Sequence, residues 1–273
     1  LAEPAARNTA ACIGYAAITI LKKYGDGIMC VVPSDPYIRD EKGFQETLQE
    51  AVKAAEETDA LVTIGISPTF ASTGYGYIRS TAVEGKAYRK VEEFVEKPDE
   101  ETAREYLEAG SYAWNSGMFI WKVSSILKNM QKLMPDTYES LIKIKEAIGT
   151  PQQDFILEKE FHNMQSQSID YGIMEKADNI YILPGTFGWD DVGSWLAVER
   201  IKKTNEFGNA VAGNIITVNT HNCIIQGDKK LIAIVGMEDT IVVDTKDATL
   251  ICAKDSAGDI KKVTENLKIC NRN

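Results

Sequence analysis

The spacing of apolar residues changes at about residue 205, and this change restricts the folds open to the chain. Before that point, stretches with helical spacing alternate with short β-rich runs such as IMCVVP and ALVTIGI. After it come only short β-branched runs, such as NCIIQG and TIVVDT, separated by Gly, Asn and Asp. The sequence therefore predicts an α/β domain over residues 1–205 and a separate β domain over residues 206–273.

The first domain is predicted to contain a parallel sheet covered by helices, because helical and strand patterns follow one another along the chain. The predicted helices span residues 7–24, 42–57, 99–108, 123–132, 135–148 and 168–176. The predicted strands span residues 28–33, 60–66, 76–79, 91–95, 118–122 and 179–183.

The second domain is compatible with two architectures. Short runs of regular spacing with turn residues between them indicate a parallel β-helix or a small β-roll. A fragment of an antiparallel sandwich is the alternative that the same pattern allows.

The charge and hydropathy of the chain exclude several classes of function. Among 273 residues, 30 Lys and Arg stand against 40 Asp and Glu, which gives a net charge of −10. Such a charge disfavours a nucleic-acid or anionic-membrane surface. No apolar run approaches the roughly 20 residues of a membrane span, and the first residues do not resemble a signal peptide. An anionic ligand would need local cations, helix N-termini or a metal ion.

The cysteines and histidines do not form a recognisable metal or nucleophile motif. The five cysteines include no CxxC pair, which is typical of reduced thiols in a cytoplasmic protein. They are Cys12, Cys30, Cys223, Cys252 and Cys270. The two histidines, His162 and His221, are far apart, so we expect no zinc site and no His-based triad.

Polar residues follow two of the predicted strands directly. Asp35 comes after the apolar run VVP and one serine, and Glu96 and Lys97 come after the run EFV. Ligands of open α/β sheets bind beyond the carboxyl ends of the strands, so these three residues are candidates for a site. The alternatives are a Ser-Asp-Pro turn at Asp35 and a surface ion pair between Glu96 and Lys97.

Three later segments carry similar chemistry. Asn115 lies between two apolar runs, near a glycine that would let a ligand approach the backbone. Asp170 begins a predicted helix with Glu175 on its next turn, and Asp190 and Asp191 occupy a Gly-flanked turn. The alternatives are a turn residue at Asn115, an N-cap at Asp170 and a solvated helix face at Glu175.

Together these residues suit a phosphate substrate with a hard cation. Mg²⁺ commonly takes one or two carboxylates together with phosphate oxygens and waters. Asp35 and one of Asp190 and Asp191 could supply the carboxylates, and Lys97 could neutralise a phosphate.

The order of the motifs resembles one family. EPxxRNTA, PSD, GYGYIR, EKP, WNSGMF, DYGIMEKA and GWDDVGSW resemble the mannose-1-phosphate guanylyltransferases (GDP-mannose pyrophosphorylases), which are sugar nucleotidyltransferases. The resemblance covers essentially the whole chain. It implies a Rossmann-like, GT-A-like α/β catalytic domain followed by a short left-handed β-helix.

The resemblance also implies roles for particular residues. Asp35 and Asp191 would hold Mg²⁺, with Asp190 as the second choice. Lys97 would contact the sugar phosphate, and Tyr77 is a weaker candidate that packing explains equally well. The nucleoside end would consist of Glu3, Arg7, Asn8 and Thr9. The sugar end would consist of Gly76, Glu96, Asn115 and Glu175.

The activity that the resemblance implies is the synthesis of GDP-mannose and pyrophosphate from GTP and mannose 1-phosphate. No covalent intermediate is needed, because a phosphate monoester is already an anionic nucleophile. A homo-oligomer, specifically a dimer, in the cytoplasm is expected, without nucleic acid or membrane. The alternative is a catalytically silent relative that binds the sugar phosphate or nucleotide or serves as a regulatory subunit.

The sequence departs from the family pattern at two places. Family members begin with a strand and a Gly-rich loop whose Arg binds the triphosphate, whereas this sequence opens at the EP motif. We expect that a chain without this loop holds the nucleotide weakly and exposes a sheet edge, which favours strand exchange or poor solubility. Pro36 also stands where the family usually has His after the Asp.

Overall fold

The computed structural model describes residues 1–269, which divide into two compact units. The first unit comprises residues 1–34 and 38–189, and the second comprises residues 35–37 and those from Asp190 onward. The domain boundary that we placed between residues 205 and 206 stays a prediction. Cys270 lies outside the described residues.

A six-stranded sheet forms the centre of the first unit, and its order is β1-β6-β3-β7-β5-β4. These strands are β1 (Ile28–Val31), β3 (Leu61–Ile66), β4 (Tyr77–Ala82), β5 (Arg89–Val95), β6 (Tyr112–Lys122) and β7 (Ile180–Gly185). The short strands β2 (Tyr37–Ile38) and β8 (Trp189–Asp190) pair with each other.

The sheet is mixed, so the prediction of a parallel sheet is wrong. Within it β3 and β7 run parallel, whereas β1, β3 and β4 all pair antiparallel to β6. The physical reason lies in the connections. Only six residues, 83–88, join β4 to β5, and parallel neighbours need a crossover of a dozen or more.

Helices cover both faces of this sheet and produce two apolar cores. On one face α1, α4 and α5 pack against residues such as Leu61 and Trp121. On the other face α2 packs against residues such as Val62 and Ile120. All six residues of β3 are buried, because neighbouring side chains of a strand point to opposite faces and both faces are covered. The helices are α1 (Asn8–Tyr24), α2 (Glu41–Thr58), α3 (Glu100–Ala109), α4 (Val123–Leu133), α5 (Pro135–Ala147) and α6 (Gln153–Asn163).

Two helical segments of the first unit differ from the sequence-based prediction. Helix α6 was missed, because its apolar residues show little separation into one face. The helix predicted over residues 168–176 is instead a π-helical turn, Asp170–Met174. Turns of this type occur frequently at functional sites.

The second unit is β-helix-like. Strands β9, β11 and β13 form one parallel row, β10 and β12 form another, and β14 pairs antiparallel to β13. Parallel pairing rules out the antiparallel sandwich and confirms the β-helix-like prediction. The strands are β9 (Ala210–Ala212), β10 (Ile215–Val218), β11 (Ile224–Gln226), β12 (Ile232–Val235), β13 (Thr240–Asp244) and β14 (Thr249–Ala253).

Helices lie before and after these strands. They are α7 (Ala197–Ile201), a 3₁₀ helix (Lys254–Asp259) and α8 (Ile260–Ile269). In the part of the chain that the structure describes, none of the helices is long and apolar enough to span a bilayer.

A fully buried asparagine links successive coils of the β-helix. The Asn209 side chain donates to the Thr220 carbonyl oxygen at 2.7 Å and accepts from the Cys223 amide at 2.8 Å. Its exposed fraction is 0%. Both backbone groups would be buried without a partner if this side chain were removed.

We predict that Asn209→Ala lowers the free energy of unfolding by about 2–6 kcal/mol, since each of the two buried groups left unpaired costs about 1–3 kcal/mol. Urea unfolding followed by circular dichroism measures this. The matched control is Asn214→Ala, an exposed residue of the same unit, which should change stability by less than about 0.5 kcal/mol. Equal effects of the two substitutions would contradict the proposed linking role of Asn209.

Candidate active site

Four residues predicted at the sugar end lie together at one edge of the central sheet. The Gly76 carbonyl oxygen accepts from the Asn115 amide at 2.8 Å. The Glu96 amide donates to Oε1 of Glu175 at 3.1 Å. A Cβ atom placed on Gly76 would be 2.5 Å from Oε2 of Glu96. The structure thus brings together residues that are up to 99 positions apart, from Gly76 to Glu175.

The Glu96 carboxylate is the most unusual group of this cluster. Its side chain is only 10% exposed, and Nζ of Lys97 lies 3.5 Å from Oε1. Oε2 is buried and has no hydrogen-bond partner among the residues that the structure describes. Burial raises the pKa of this carboxyl group, and the nearby Asp170 charge adds to the increase. A buried acceptor without a donor is the expected feature of a group that binds a hydroxyl of a ligand.

Gly76 is required by this arrangement. Any side chain at this position would collide with the Glu96 carboxylate, at 2.5 Å, and would approach Cβ of Asn115 to 3.3 Å. The absence of a side chain therefore keeps the space beside the carboxylate open for a ligand.

Asn115 lies at an irregularity in β6. The pairing of β3 with β6 shifts register between Thr63 and Gly65, opposite this residue. The side-chain oxygen of Asn115 accepts from the Gly117 amide at 3.1 Å, and Nδ2 donates to Oδ1 of Asp170 at 2.9 Å. Bulges of this kind redirect side chains next to active sites.

Asp170 belongs to the cluster, although the sequence analysis only noted its carboxylate, with an N-cap as the alternative, and assigned it no role in the site. It is half-buried at the start of the π-helical turn. Burial raises the pKa of its carboxyl group, despite the hydrogen bond from Asn115 that acts in the opposite direction. The signal that could have identified it is its place five residues before Glu175 in the DYGIMEKA motif.

Two residues predicted at the nucleoside end bind the protein backbone in this structure. The Arg7 guanidinium donates to the carbonyl oxygens of Phe161 and His162 at the end of α6. The Thr9 hydroxyl accepts from the Ile169 amide at 2.8 Å. Both therefore stabilise the chain around the motif.

The other two residues predicted at the nucleoside end, Asn8 and Glu3, lie in different environments. Asn8 has a positive φ of 64° and accepts from the Thr9 amide through Oδ1 at 2.8 Å. Glu3 is exposed near Cys12. Partial burial and a hydrogen bond with Glu3 raise the pKa of the Cys12 thiol to about 11.

The carboxylates predicted to hold a metal ion belong to the second compact unit. Asp35 is exposed in the segment after β1, and Asp191 is half-buried just after β8. The Asp190 carboxylate accepts two hydrogen bonds from the Arg200 guanidinium and one from the Val192 amide at 2.9 Å. Asp190 is therefore held by Arg200 and by the backbone of its own turn. Among the described residues 1–269, no group of three or more His, Cys, Asp or Glu could hold a metal by itself.

Two residues at or beside the predicted site residues have a strained backbone. Seven described residues other than glycine have a positive φ, and five of them are Asn or Asp, which tolerate it. The exceptions are Lys97, with a φ of 49°, and Val192, with a φ of 51°. Strain of this kind clusters at ligand sites, and here it lies at or beside predicted site residues.

Tyr77, the weaker candidate, is a packing residue that also anchors the loop before it. Its ring is fully buried, and its hydroxyl oxygen accepts from the Ser72 amide at 2.8 Å. This contact fixes the loop that leads into Gly76.

Comparison with known proteins identifies the family. A family model described as nucleotidyl transferase matches residues 1–206. The chain belongs to the nucleotidyl transferase family. A second model, described as the MannoseP isomerase/GMP-like beta-helix domain, matches residues 213–267. The two matched models thus correspond to the α/β architecture and the β-helix-like architecture of the structure.

Comparison with individual relatives shows which members of the nucleotidyl transferase family this chain is similar to. It is 40% identical to mannose-1-phosphate guanylyltransferase of Salmonella montevideo over 99% of this chain and 58% of the relative. It is 41% identical to the xanthan biosynthesis protein XanB of Xanthomonas campestris pv. campestris (strain B100), over 100% of this chain and 58% of the relative. The chain thus spans a little over half the length of these relatives. The resemblance to mannose-1-phosphate guanylyltransferases is confirmed.

A solved structure supports the same assignment. The crystal structure of mannose-1-phosphate geranyltransferase from Thermus thermophilus superposes with a TM-score of 0.89 at 33% identity. The match covers 98% of this chain and 77% of that one. The nucleotidyl transferase fold with its β-helix is therefore confirmed by structure as well as by sequence.

We predict that Glu96→Gln raises the thermal midpoint at pH 8. The raised pKa means that Glu96 contributes stability while protonated and that this stability is lost as pH rises through its folded-state pKa. Below its ordinary pKa of 4.5 the two proteins should therefore converge. Calorimetry from pH 4 to pH 8 tests this, with the exposed Glu108→Gln as control. A variant that is less stable than the parent at pH 8 would refute the account.

We also predict that Val192→Gly stabilises the fold by about 0.5–1 kcal/mol, because left-handed backbone costs a residue with a side chain roughly 1–2 kcal/mol. Val211→Gly is the matched control, since Val192 is 36% and Val211 is 37% exposed. Val211 lies in an extended strand, so its replacement should destabilise by about 1 kcal/mol. Denaturant unfolding of both variants gives the comparison, and the same sign for both would argue against strain at Val192.

Proposed function

We propose that this chain carries out the transfer of GMP from GTP to mannose 1-phosphate, which yields GDP-mannose and pyrophosphate. The observation that carries the proposal is the buried, unpaired oxygen of Glu96 beside Gly76 in a member of the nucleotidyl transferase family. A sugar hydroxyl would supply the donor that this oxygen lacks. The choice of mannose and guanine rests on the relative from Salmonella montevideo.

The reaction requires positioning more than acid–base chemistry. A phosphate oxygen of mannose 1-phosphate attacks the α-phosphorus of GTP, and the bond from that phosphorus to the oxygen bridging to the β-phosphate breaks. That oxygen leaves with pyrophosphate. Because the attacking phosphate is already anionic, no general base is needed.

Lys97 would neutralise the sugar phosphate. Its side chain is 56% exposed, so the ammonium group is accessible to a ligand, and its contact with Glu96 holds it near the sugar end. The Glu175 carboxylate, which accepts from the Glu96 amide, would complete the sugar end with Asn115.

Glu3 and Asn8 would face the guanine base. Guanine presents paired N–H donors on one edge, and an exposed carboxylate such as that of Glu3 is a matching acceptor. Arg7 and Thr9 would act mainly by holding this segment in place, since both bind backbone groups.

The donor set suits Mg²⁺. Two carboxylates, Asp35 and Asp191, are what Mg²⁺ needs from a protein when phosphate oxygens and waters supply the remaining ligands. When bound, the ion would neutralise charge on the triphosphate. Asp190, which pairs with Arg200, would hold the loop that presents Asp191.

A second candidate is binding of the sugar phosphate without catalysis. It is favoured by one observation: the sugar end is assembled, whereas Arg7 and Thr9 of the nucleoside end are occupied by backbone contacts. Incubation of the purified protein with GTP, mannose 1-phosphate and Mg²⁺, followed by chromatography of the nucleotides, separates the two. GDP-mannose formation supports the enzyme, and calorimetric binding of mannose 1-phosphate without turnover supports the second candidate.

We predict that Asp191→Asn reduces turnover by about 100-fold, because the variant loses a metal-binding charge but keeps the shape of the side chain. Steady-state release of pyrophosphate at saturating Mg²⁺ measures the loss. Asp228→Asn, an exposed residue of the same unit, is the matched control and should keep full turnover. If Asp191→Asn were as active as this control, Asp191 would have only a structural role.

A further inference from the structure

Asp170 is placed to control the sugar end through another residue. Its Oδ1 accepts from Nδ2 of Asn115 at 2.9 Å. The backbone amide of Asn115 in turn donates to the Gly76 carbonyl oxygen at 2.8 Å. One carboxylate is therefore connected by two hydrogen bonds to the glycine that leaves room for the ligand.

The segment that carries Asp170 is itself tied to the start of α1. The Ile169 amide donates to the Thr9 hydroxyl at 2.8 Å, and the Ala10 amide donates to the Gln167 carbonyl oxygen at 3.2 Å. The RNTA motif thus sets the position of the residue immediately before Asp170. A shift at Thr9 would reach Asn115 through Asp170.

The side-chain amide of Asn115 has two orientations of similar shape, related by exchange of its oxygen and nitrogen. Its neighbours select one of them. Its oxygen faces the Gly117 amide, at 3.1 Å, and its nitrogen faces Asp170. A carboxylate at position 170 accepts hydrogen bonds but does not donate them when ionised, so it specifies the nitrogen. The second N–H of that nitrogen is then left for a ligand oxygen.

Stability alone does not account for a carboxylate at this position. Asp170 lies near Glu96, and its charge helps to raise the pKa of that group. Two acidic groups that share one lysine, Lys97, favour the folded state less than neutral residues of similar size would.

We propose that Asp170 is a positioning residue for the sugar phosphate, which acts by fixing the side-chain amide of Asn115. The proposal rests on the proposed function, because it assumes that mannose 1-phosphate binds at this cluster. Asp170 need not touch the ligand.

The test is a double-mutant cycle on the purified protein, with mannose 1-phosphate as the titrant in calorimetry. Asp170→Ala should weaken binding by about tenfold, which is the loss of roughly one charged hydrogen bond. In the Asn115→Ala background the same change should weaken binding by less than about twofold, since its target is gone. Asp170→Asn keeps an acceptor oxygen and should restore binding to within about threefold of the parent. A tenfold loss in both backgrounds would overturn the proposal, because Asp170 would then act directly or through general unfolding.

A second measurement needs no ligand. Amide hydrogen exchange of the peptide that contains residues 113–118 should accelerate in Asp170→Ala but not in Asp170→Asn. The control is Asp178→Ala, which removes an exposed carboxylate paired with Lys132 on the same stretch of chain. Unchanged exchange in Asp170→Ala would overturn the positioning role. If the parent fails to bind mannose 1-phosphate while exchange accelerates as expected, the proposed function fails and the positioning role stands.

Discussion

The arrangement of the site depends on how β6 is hydrogen-bonded to β3 where their pairing becomes irregular. The Thr63 hydroxyl donates to the Met118 carbonyl oxygen at 3.1 Å, and the Ser116 hydroxyl donates to the Ile64 carbonyl oxygen at 2.6 Å. These two buried side chains replace ladder bonds that the register shift interrupts. As a result Asn115 is displaced from regular strand geometry, and its side-chain amide reaches Asp170. Its backbone amide still donates to the Gly76 carbonyl oxygen. The predicted sugar end would lose its shape without this irregularity.

The same site carries an energetic cost that the rest of the fold offsets. Glu96 and Asp170 are acidic groups whose pKa values are raised by burial, so their ionised forms oppose folding at neutral pH. The left-handed backbone conformation of Lys97 adds to this cost. Two apolar cores, one on each face of the central sheet, hold these groups in place. Residues that are unfavourable for stability and yet closely packed are the expected signature of a binding site.

The second unit contributes a different kind of order. Parallel pairs such as Ile215 with Ile232 and Ile224 with Ile241 repeat at intervals of 17 residues. Asn219, Asn222 and Asp239 take the left-handed backbone conformation, which Asn and Asp tolerate. Asn209 then links the coils through buried hydrogen bonds. In the same unit, the pairing of Asp190 with Arg200 supports the turn that contains Asp191.

The sequence by itself determined most of the secondary structure, the change from α/β to β architecture and the family. These depend on the local periodicity of apolar residues and on short motifs, which are readable without contacts. Only the tertiary structure decided the mixed sheet, the π-helical turn and the membership of Asp170 in the predicted sugar-end cluster. A carboxylate at a predicted helix start satisfies a capping rule equally well whether or not an amide from residue 115 lies 2.9 Å away. The backbone contacts of Arg7 and Thr9 and the pairing of Asp190 with Arg200 likewise follow from tertiary packing, because these partners are separated in sequence by 10 to 160 positions.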